Sequence, residues 1–344
     1  MKNLDFDAYK KADLINNNQI FIPADVKLPF FLNRSTAGPD ANSHSIGISF
    51  NKTNVKLNIS ENKSEMFSLN KTKNGYNLLK YGKNYIDNVN IIPIYFHAPN
   101  QIFLNLDDRC IYNCGFCNLS KKGLLKNYDD KKFTEFIVKS AHRKNINSIA
   151  LTSGVFPDNN HIINKMSKIV KEIKKIIPKC SIGIESCIFN RKEVELLKVS
   201  GVDEIKINLQ IPDRMMFSKI CPDFNYDLII DNLINAVEIF GKEKVTSNII
   251  FGLGETDETV VKSIEELSKI GVVPTLRKIR INKKNKEKLI KILNYDIPKT
   301  SNERIINLAY GHKRILEKYK LDTRTFQTMC HKCGCCDIVP FWDI

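Results

Sequence analysis

From Gln101 onward the chain repeats one unit six times, a short run of aliphatic and β-branched residues followed by an amphipathic stretch. The strand-like runs are Ile102 to Leu106, Ser148 to Thr152, Ser181 to Glu185, Glu204 to Leu209, Val245 to Phe251 and Thr275 to Ile281. Between them, Phe133, Phe136, Ile137 and Ala141 share one helical face, and so do Ile163, Met166, Val170 and Ile173. Further helical patterns cover Val194 to Val199, Leu228 to Phe240 and Thr259 to Lys269, the last with Thr256 or Asp257 as N-cap. A strand that returns through a helix to a neighbouring strand makes a parallel pair. The repeat therefore predicts an α/β fold, a parallel sheet curved into a full or partial (β/α)6 TIM-type barrel over residues 100–282. Such barrels keep their chemistry at the C-terminal ends of the strands. Here those ends carry a cysteine loop and then the segments TSG, ESC, NLQ and GLGE.

The flanks read differently. Residues 4 to 17 are spaced as an amphipathic helix, and short alternating runs follow at Ser45 to Phe50, Val55 to Ile59, Glu65 to Leu69, Tyr76 to Tyr81 and Val89 to Tyr95. Residues 1–99 are thus expected to form a helix and a small β-rich accessory domain. Within it the polar loop RSTAGPDANSHSIG makes Arg34 and His44 candidates to face a substrate. Residues 283–324 read as a helical extension, with Asn302 to Tyr319 as one long helix on which His312 is packed or solvated and not a ligand. Residues 325–344 form a cysteine-rich tail, with Phe341 and Trp342 expected to pin it to the body.

Ten cysteines in a chain whose first residues carry charges in place of a signal core do not read as a disulfide framework. No apolar run reaches membrane-span length, and a cytoplasmic location is expected. The net charge of +15 permits nucleic acid, an anionic cofactor or an acidic protein as partner. No aromatic and basic module supports RNA binding, and a generally basic surface is the simpler reading.

Seven of the ten cysteines lie in two short clusters. Cys110, Cys114 and Cys117 in CIYNCGFC put three thiolates on one tight loop turning at Gly115, which suits a thiophilic metal site. A [4Fe-4S] cube held by three thiolates keeps one iron open for an outside ligand. In the tail, Cys330, Cys333, Cys335 and Cys336 supply four more thiolates within CHKCGCC. They suit structural zinc, with all four or with three plus His331, or a second iron-sulfur cluster; Asp337 is a nearby acceptor or ligand. A tail folded over the open end of the barrel would face its metal site toward a substrate. Of the remaining cysteines, Cys180 reads as a buried small apolar residue and Cys221 as a loop residue, while Cys187, just past Glu185, is a possible substrate-site thiol.

The three-cysteine loop matches the CxxxCxxC signature of the radical S-adenosylmethionine (radical SAM) superfamily, and the strand-helix repeat resembles its partial barrel. The resemblance extends to the aromatic Phe116 between the last two cysteines and to Thr152, Ser153 and Gly154 in place of the glycine-rich segment that receives the methionine amino group. Glu185 and the NLQ segment, Asn208 to Gln210, are similar to the strand-end groups that hold the ribose, with Gln where the biotin-synthase-like branch has Asp. Ile250 and Gly252 in IIFGLGE resemble the strand-five motif near the adenine. Arg277 and Arg280 in TLRKIRI are candidates to meet the cofactor carboxylate or a substrate anion, although a spacing of three puts them on opposite faces of a regular strand.

The resemblance implies a reduced [4Fe-4S] cluster whose open iron chelates S-adenosylmethionine and cleaves it to methionine and a 5'-deoxyadenosyl radical. It implies a low-potential electron donor such as ferredoxin or flavodoxin, and favours a second [4Fe-4S] cluster over zinc in the tail. NLQIPDRMMFSKICP and IIFGLGET are closest to the biotin and lipoyl synthase branch, which points to sulfur insertion. The alternatives are radical C-methylation and maturation of a peptide or cofactor, with the second cluster binding substrate or relaying electrons. The substrate is then a small molecule, a cofactor precursor or a protein-bound group. A non-enzymatic cluster- or zinc-containing RNA-binding protein is the remaining class.

Overall fold

Six parallel strands, β7 (Ile102–Asn105), β8 (Ser148–Thr152), β9 (Ser181–Glu185), β10 (Glu204–Lys206), β11 (Val245–Phe251) and β12 (Val273–Lys278), lie side by side in sequence order. The structure is a computed structural model, and it describes residues 3–32, 34, 43–94, 97–119, 121–123, 129–144 and 146–344. The sheet is backed by α2 (Asp130–Lys144), α3 (Asn159–Ile176), α4 (Arg191–Val199), α6 (Tyr226–Phe240) and α7 (Asp257–Lys269). Of the two forms that the repeat allows, this open six-stranded sheet is the partial barrel. Outward-pointing Ile149, Leu151, Ile182, Ile184 and Ile205 pack with the helices in one large core. The N-caps are local: the Asp158, Asn190, Asn225 and Thr256 side chains each accept a hydrogen bond from a backbone N–H in the first turn of their helix.

Ahead of the half-barrel, α1 (Asn3–Asn17) is followed by β1 (Gln19–Phe21), β2 (Ser45–Phe50), β3 (Thr53–Ser60), β4 (Phe67–Thr72), β5 (Gly75–Lys80) and β6 (Lys83–Ile92). These strands close into a small barrel in the order β1-β3-β2-β6-β5-β4 around Ile46, Ile48, Leu57, Phe67, Leu69 and Leu78. Asn51 and Lys52, both at positive φ, make the two-residue turn between β2 and β3. β4 and β6 lie a few residues away from the alternating runs in the sequence, because Asn62 to Glu65 form a side-chain-bonded turn and Tyr81-Gly82 turns at positive φ.

After the half-barrel come α8 (Lys283–Leu293) and α9 (Asn302–Tyr319), and His312 on α9 is packed with 1% exposure. A short helix that the repeat does not reveal, α5 (Arg214–Ile220), is capped by Asp213, and Cys221 follows it at the start of the next loop, buried.

The tail does not fold over the open end of the half-barrel. It enters from the opposite end, among the first residues of the strands. Gln101 exchanges two hydrogen bonds with Met329 (both 2.7 Å), and Ser148 Oγ donates to Gln327 O at 2.7 Å. Glu204 accepts from Gln327 N (2.8 Å), Thr328 N (2.9 Å) and Thr328 Oγ1 (2.6 Å). His331 Nε2 lies 3.2 Å from both Val273 O and Thr246 Oγ1. A (β/α) barrel normally fills its lumen with layers of bulky aliphatic side chains. Here the inward positions hold Phe103, Ala150 and Gly183, and α10 (Met329–Cys333) occupies the space they leave. A Cβ on Gly183 would overlap Thr328 Oγ1.

The small barrel and α1 clamp the tail from the side. Lys56 N donates to Cys335 O at 3.0 Å, and Lys11 Nζ reaches Gly334 O at 2.5 Å and Asp343 Oδ2 at 2.6 Å. Phe341 packs beneath the barrel, whereas Trp342 is 57% exposed and pins nothing, since the chain turns at Phe341 with φ +66°.

Candidate active site

The cysteine loop leaves β7 and is fastened on three sides. Ile111 N donates to Val155 O (2.9 Å) and Gly154 N to Asp107 O (2.7 Å), so the Thr152-Ser153-Gly154 segment after β8 is laced to the start of the loop. A Cβ on Gly154 would overlap Arg109 O, which is why glycine stands there. Gly115 N donates to Ile220 O (2.7 Å), and Leu289 and Ile292 of α8 close over Gly115 so tightly that an added Cβ would meet Ile292 at 2.9 Å. Asn113 N donates to Asp223 Oδ2 at 2.7 Å.

Cys110, Cys114 and Cys117 open onto one cavity of about 270 Å³ inside the half-barrel. A hydrogen bond from the Cys221 thiol, aided by Lys288 and opposed by burial, favours the Cys114 thiolate. Burial pushes the Cys117 thiol up to about 11, a cost that metal coordination would offset. Cys187 is on the same wall, and burial followed by the neighbouring loop thiolates keeps it protonated.

The cavity wall gathers most of the residues that the sequence singles out. Phe116, Thr152, Ser153, Gly154, Glu185, Asn208, Gln210, Ile250, Arg277 and Arg280 all line it. Asn208 Nδ2 donates to Glu185 Oε1 at 2.7 Å, and Asn208 Oδ1 accepts from Asn248 N at 3.0 Å. β12 ends at Lys278, so Arg277 points inward from the strand and Arg280 from the turn after it. Both reach the cavity because the strand stops between them.

At the cavity's other end are Cys330 and Cys336. Lys206, fully buried as the last residue of β10, donates to Cys330 Sγ at 3.0 Å and lies 3.5 Å from Glu185. Burial opposes its ammonium form, but Cys330 and then Glu185 outweigh burial and hold it protonated. Arg277 makes a two-armed pair with Asp337 (3.0 and 2.7 Å), which commits Asp337 to the arginine in place of a metal. Cys333 and Cys335 sit behind, packed with Ala98, Phe103, Ala150 and Met329. A thiol-thiol hydrogen bond from Cys335 lowers Cys333 to about 7 despite burial.

Several expected site residues are elsewhere. Gly252 is off the cavity; its N–H donates to Glu255 and its open face meets Thr300, so the IIFGLGE turn presents Ile250 and hides the glycine. Arg34 and His44 pair with each other through a β-bridge on the small barrel, both exposed and neither lining the cavity; residues 35–42 of that loop lie outside the described residues. His331 is turned to Val273 and Thr246, away from the cavity.

Other lining residues carry no motif. His97 stacks edge-on to Phe103 (4.8 Å), with Lys56 Nζ 3.3 Å from its Nδ1; burial and then Lys56 keep the ring neutral. Asn105, Ser186 and Asn248 are further lining residues. Lys206 had one legible sign, since Glu204 and Lys206 alternate on a strand that must be covered on both faces.

Among the described residues that line this cavity, five buried side-chain oxygens have no partner: Asn105 Oδ1, Ser153 Oγ, Ser186 Oγ, Gln210 Oε1 and Asn248 Oδ1. Buried polar groups left unmatched are costly, so such a group implies a ligand that completes it. Three of the five are pure acceptors and two are hydroxyls. S-adenosylmethionine offers an ammonium, two ribose hydroxyls and an adenine amine as donors, and the donor set beside three clustered thiols fits it and a [4Fe-4S] cluster.

Residues 104–267 match the family model described as the radical SAM superfamily. Among curated proteins, a lipoyl synthase of Caldicellulosiruptor saccharolyticus is 25% identical over 179 residues, covering 51% of this chain and 62% of that protein. A biotin synthase of Sulfurihydrogenibium sp. is 28% identical over 178 residues, covering 48% and 51%. The chain thus spans less than two thirds of either relative. Among solved structures, the FeFe-hydrogenase maturase HydG from Carboxydothermus hydrogenoformans aligns with a TM-score of 0.51 at 17% identity, covering 66% of this chain and 53% of that one. Methylornithine synthase PylB aligns at 0.50 and 16%, covering 63% and 65%. At such identities the structural likeness concerns the fold. Cysteine spacing, half-barrel and family model converge on one stretch: residues 104–267 match the radical SAM superfamily, and the chain is similar there to lipoyl and biotin synthases.

Proposed function

We propose that this protein is a radical SAM enzyme with two iron-sulfur centres at the two ends of one cavity, and that it inserts sulfur into an unactivated C–H bond. When bound, the [4Fe-4S] cluster and S-adenosylmethionine would supply reductive cleavage of the sulfonium and a 5'-deoxyadenosyl radical. Cys110, Cys114 and Cys117 would hold the cluster. Ser153, Gln210 and Asn248 would orient the cofactor's donors, Glu185 would be fixed for the ribose by Asn208, and Arg280 would face a carboxylate. The closed wall of Phe116, Ile188, Phe189 and Ile250 would exclude water from the reacting carbon.

The observation that carries the second centre is the position of Cys330 and Cys336 in the same cavity as the cysteine loop. A centre that only relayed electrons would have no reason to meet the substrate space, so the geometry favours sulfur donation or direct substrate binding. The orientation of His331 disfavours a zinc site made of three thiolates and that histidine. The similarity to lipoyl and biotin synthases favours sulfur insertion over methylation. A cytoplasmic location and a small, cofactor-precursor or protein-bound substrate belong to the same proposal; no helix among the described residues is long and apolar enough to cross a membrane.

Iron and sulfide analysis after anaerobic reconstitution tests it. Two clusters give about eight irons per chain, falling to about four when Cys330, Cys333, Cys335 and Cys336 are changed to alanine. Four irons with one zinc would remove the second cluster. A reduced protein that cleaved no S-adenosylmethionine, with its substrate present, would remove the radical reading.

A further inference from the structure

The inward side chains of β10 hold the tail at two heights. Glu204 accepts from the backbone of Gln327 and Thr328, and Lys206, one pleat further along, donates to Cys330 Sγ at 3.0 Å. In the parallel register Lys206 stands beside Glu185 of β9, so both side chains enter the lumen at one level, with Glu185 Oε1 3.5 Å from the lysine Nζ. The same Glu185 oxygen accepts from Asn208 Nδ2 at 2.7 Å, and Asn208 Oδ1 accepts from Asn248 N at 3.0 Å. One chain of polar contacts therefore runs from β11 through Asn208, Glu185 and Lys206 to Cys330. Lys206 has 0% exposure, so the chain lies inside the protein where it passes through the lysine. Arg277, the other cation whose charge is felt at Cys330, is committed to Asp337. Among the described residues, Lys206 is the hydrogen-bond donor to the Cys330 sulfur.

We propose that Lys206 is a positioning residue that couples the two ends of the cavity, its one ammonium divided between the Glu185 carboxylate, where a cofactor ribose would seat, and the Cys330 sulfur of the tail centre. The inference rests on the two-centre reading given above, and it adds the residue through which cofactor seating alters the tail centre. A positive charge and an N–H bond on a ligand sulfur stabilise the reduced form of a cluster, which carries one more negative charge. A carboxylate 3.5 Å from the same ammonium offsets part of that charge. Ribose hydroxyls that donate to Glu185 spread its charge and leave the lysine to the sulfur. The tail centre then accepts an electron more readily with the cofactor in place than without it. In that step an external reductant such as dithionite loses one electron and the centre gains one; no bond forms or breaks. Burial gives the coupling its strength, since buried charges are screened far less than exposed ones.

The test equilibrates the reconstituted two-cluster protein with dithionite and mediators at a fixed potential. It reads the reduced tail centre by electron paramagnetic resonance, after subtracting the signal of the variant C330A/C333A/C335A/C336A. K206M should lower the ratio of reduced to oxidised tail centre roughly tenfold, about 59 mV for a one-electron couple. E185Q should raise the ratio, and the rise should shrink in E185Q/K206M, because the carboxylate acts through the lysine. S-adenosylhomocysteine, which carries the ribose but no sulfonium, should raise the ratio in the wild type and not in K206M. A wild-type ratio in K206M, a fall in E185Q, or an equal effect of E185Q with and without the lysine would overturn the proposal. Should K206M hold no tail cluster, E185Q and the wild-type response to S-adenosylhomocysteine decide it, and no rise in either would overturn it. Wild-type protein holding one cluster would overturn the two-centre reading and the coupling with it, whereas two clusters that fail these comparisons would overturn the coupling alone.

Discussion

Arg277 on the last strand of the half-barrel grips Asp337 in the C-terminal tail through two parallel hydrogen bonds of 3.0 and 2.7 Å. The pair joins the wall of the cavity to the segment that carries Cys336, and Asp337 is nearly sealed from water. Burial opposes the carboxylate, but the Arg277 guanidinium prevails and holds Asp337 below the usual carboxylate range.

Removing one partner of a buried pair strands the other. Asp337→Ala should cost about 3 kcal/mol in urea unfolding and expose Cys330 and Cys336 to alkylation in the metal-free chain. Arg277→Lys keeps the charge but not the fork, and should cost less.

The floor of the lumen is sensitive to one methyl group. Gly183→Ala would drive a Cβ into Thr328 Oγ1 and should destabilise by about 1 to 3 kcal/mol. Ala150→Gly, which only empties space, should leave the tail docked. Melting temperature and protection of Cys333 from alkylation separate the two.

The unmatched acceptor of Asn248 predicts effects of opposite sign. Asn248→Leu removes a buried polar atom that has no partner in the ligand-free protein and should raise stability by about 1 kcal/mol. It should also weaken S-adenosylmethionine binding roughly tenfold, measured by equilibrium dialysis. A variant that lost stability and kept affinity would refute the assignment of Asn248 to the ligand.

Two buried histidines set an acid limit. Burial, with His331 adding to it, lowers His312 to about 3, and burial lowers His331 itself to about 4. An unfolded histidine titrates near 6.5, so below that pH the unfolded chain takes up protons that the folded one refuses, and stability falls as pH falls toward 4. The two together give a slope of about 2.7 kcal/mol per pH unit between pH 6 and 4. His312→Leu should halve it, and unfolding midpoints at pH 6.5 and 5 measure the difference.

The half-barrel and the cysteine loop could be read without coordinates because both are written in short-range spacing. Alternation in ESC and NLQ puts Glu185 and Asn208 on the inner face of neighbouring strands, and CIYNCGFC needs only its own turn to gather three thiols. A long polar loop carries no mark of which side of a domain it covers, and Arg34 and His44 bridge each other away from the cavity wall.

The sequence by itself determined how the proposed reaction would begin: three thiolates at fixed spacing, at the end of the first of six parallel strands. Only the tertiary structure decided that the tail enters at the opposite end of the barrel, that Cys330 and Cys336 reach the cavity while Cys333 and Cys335 are sealed behind it, and that Lys206 bonds to Cys330. The physical reason is that thiol spacing is local, whereas the tail's path is fixed by Gln101, Ser148 and Glu204 bonding to Gln327, Thr328 and Met329. Those partners lie more than a hundred residues apart in the chain, and nothing in their local pattern names the other.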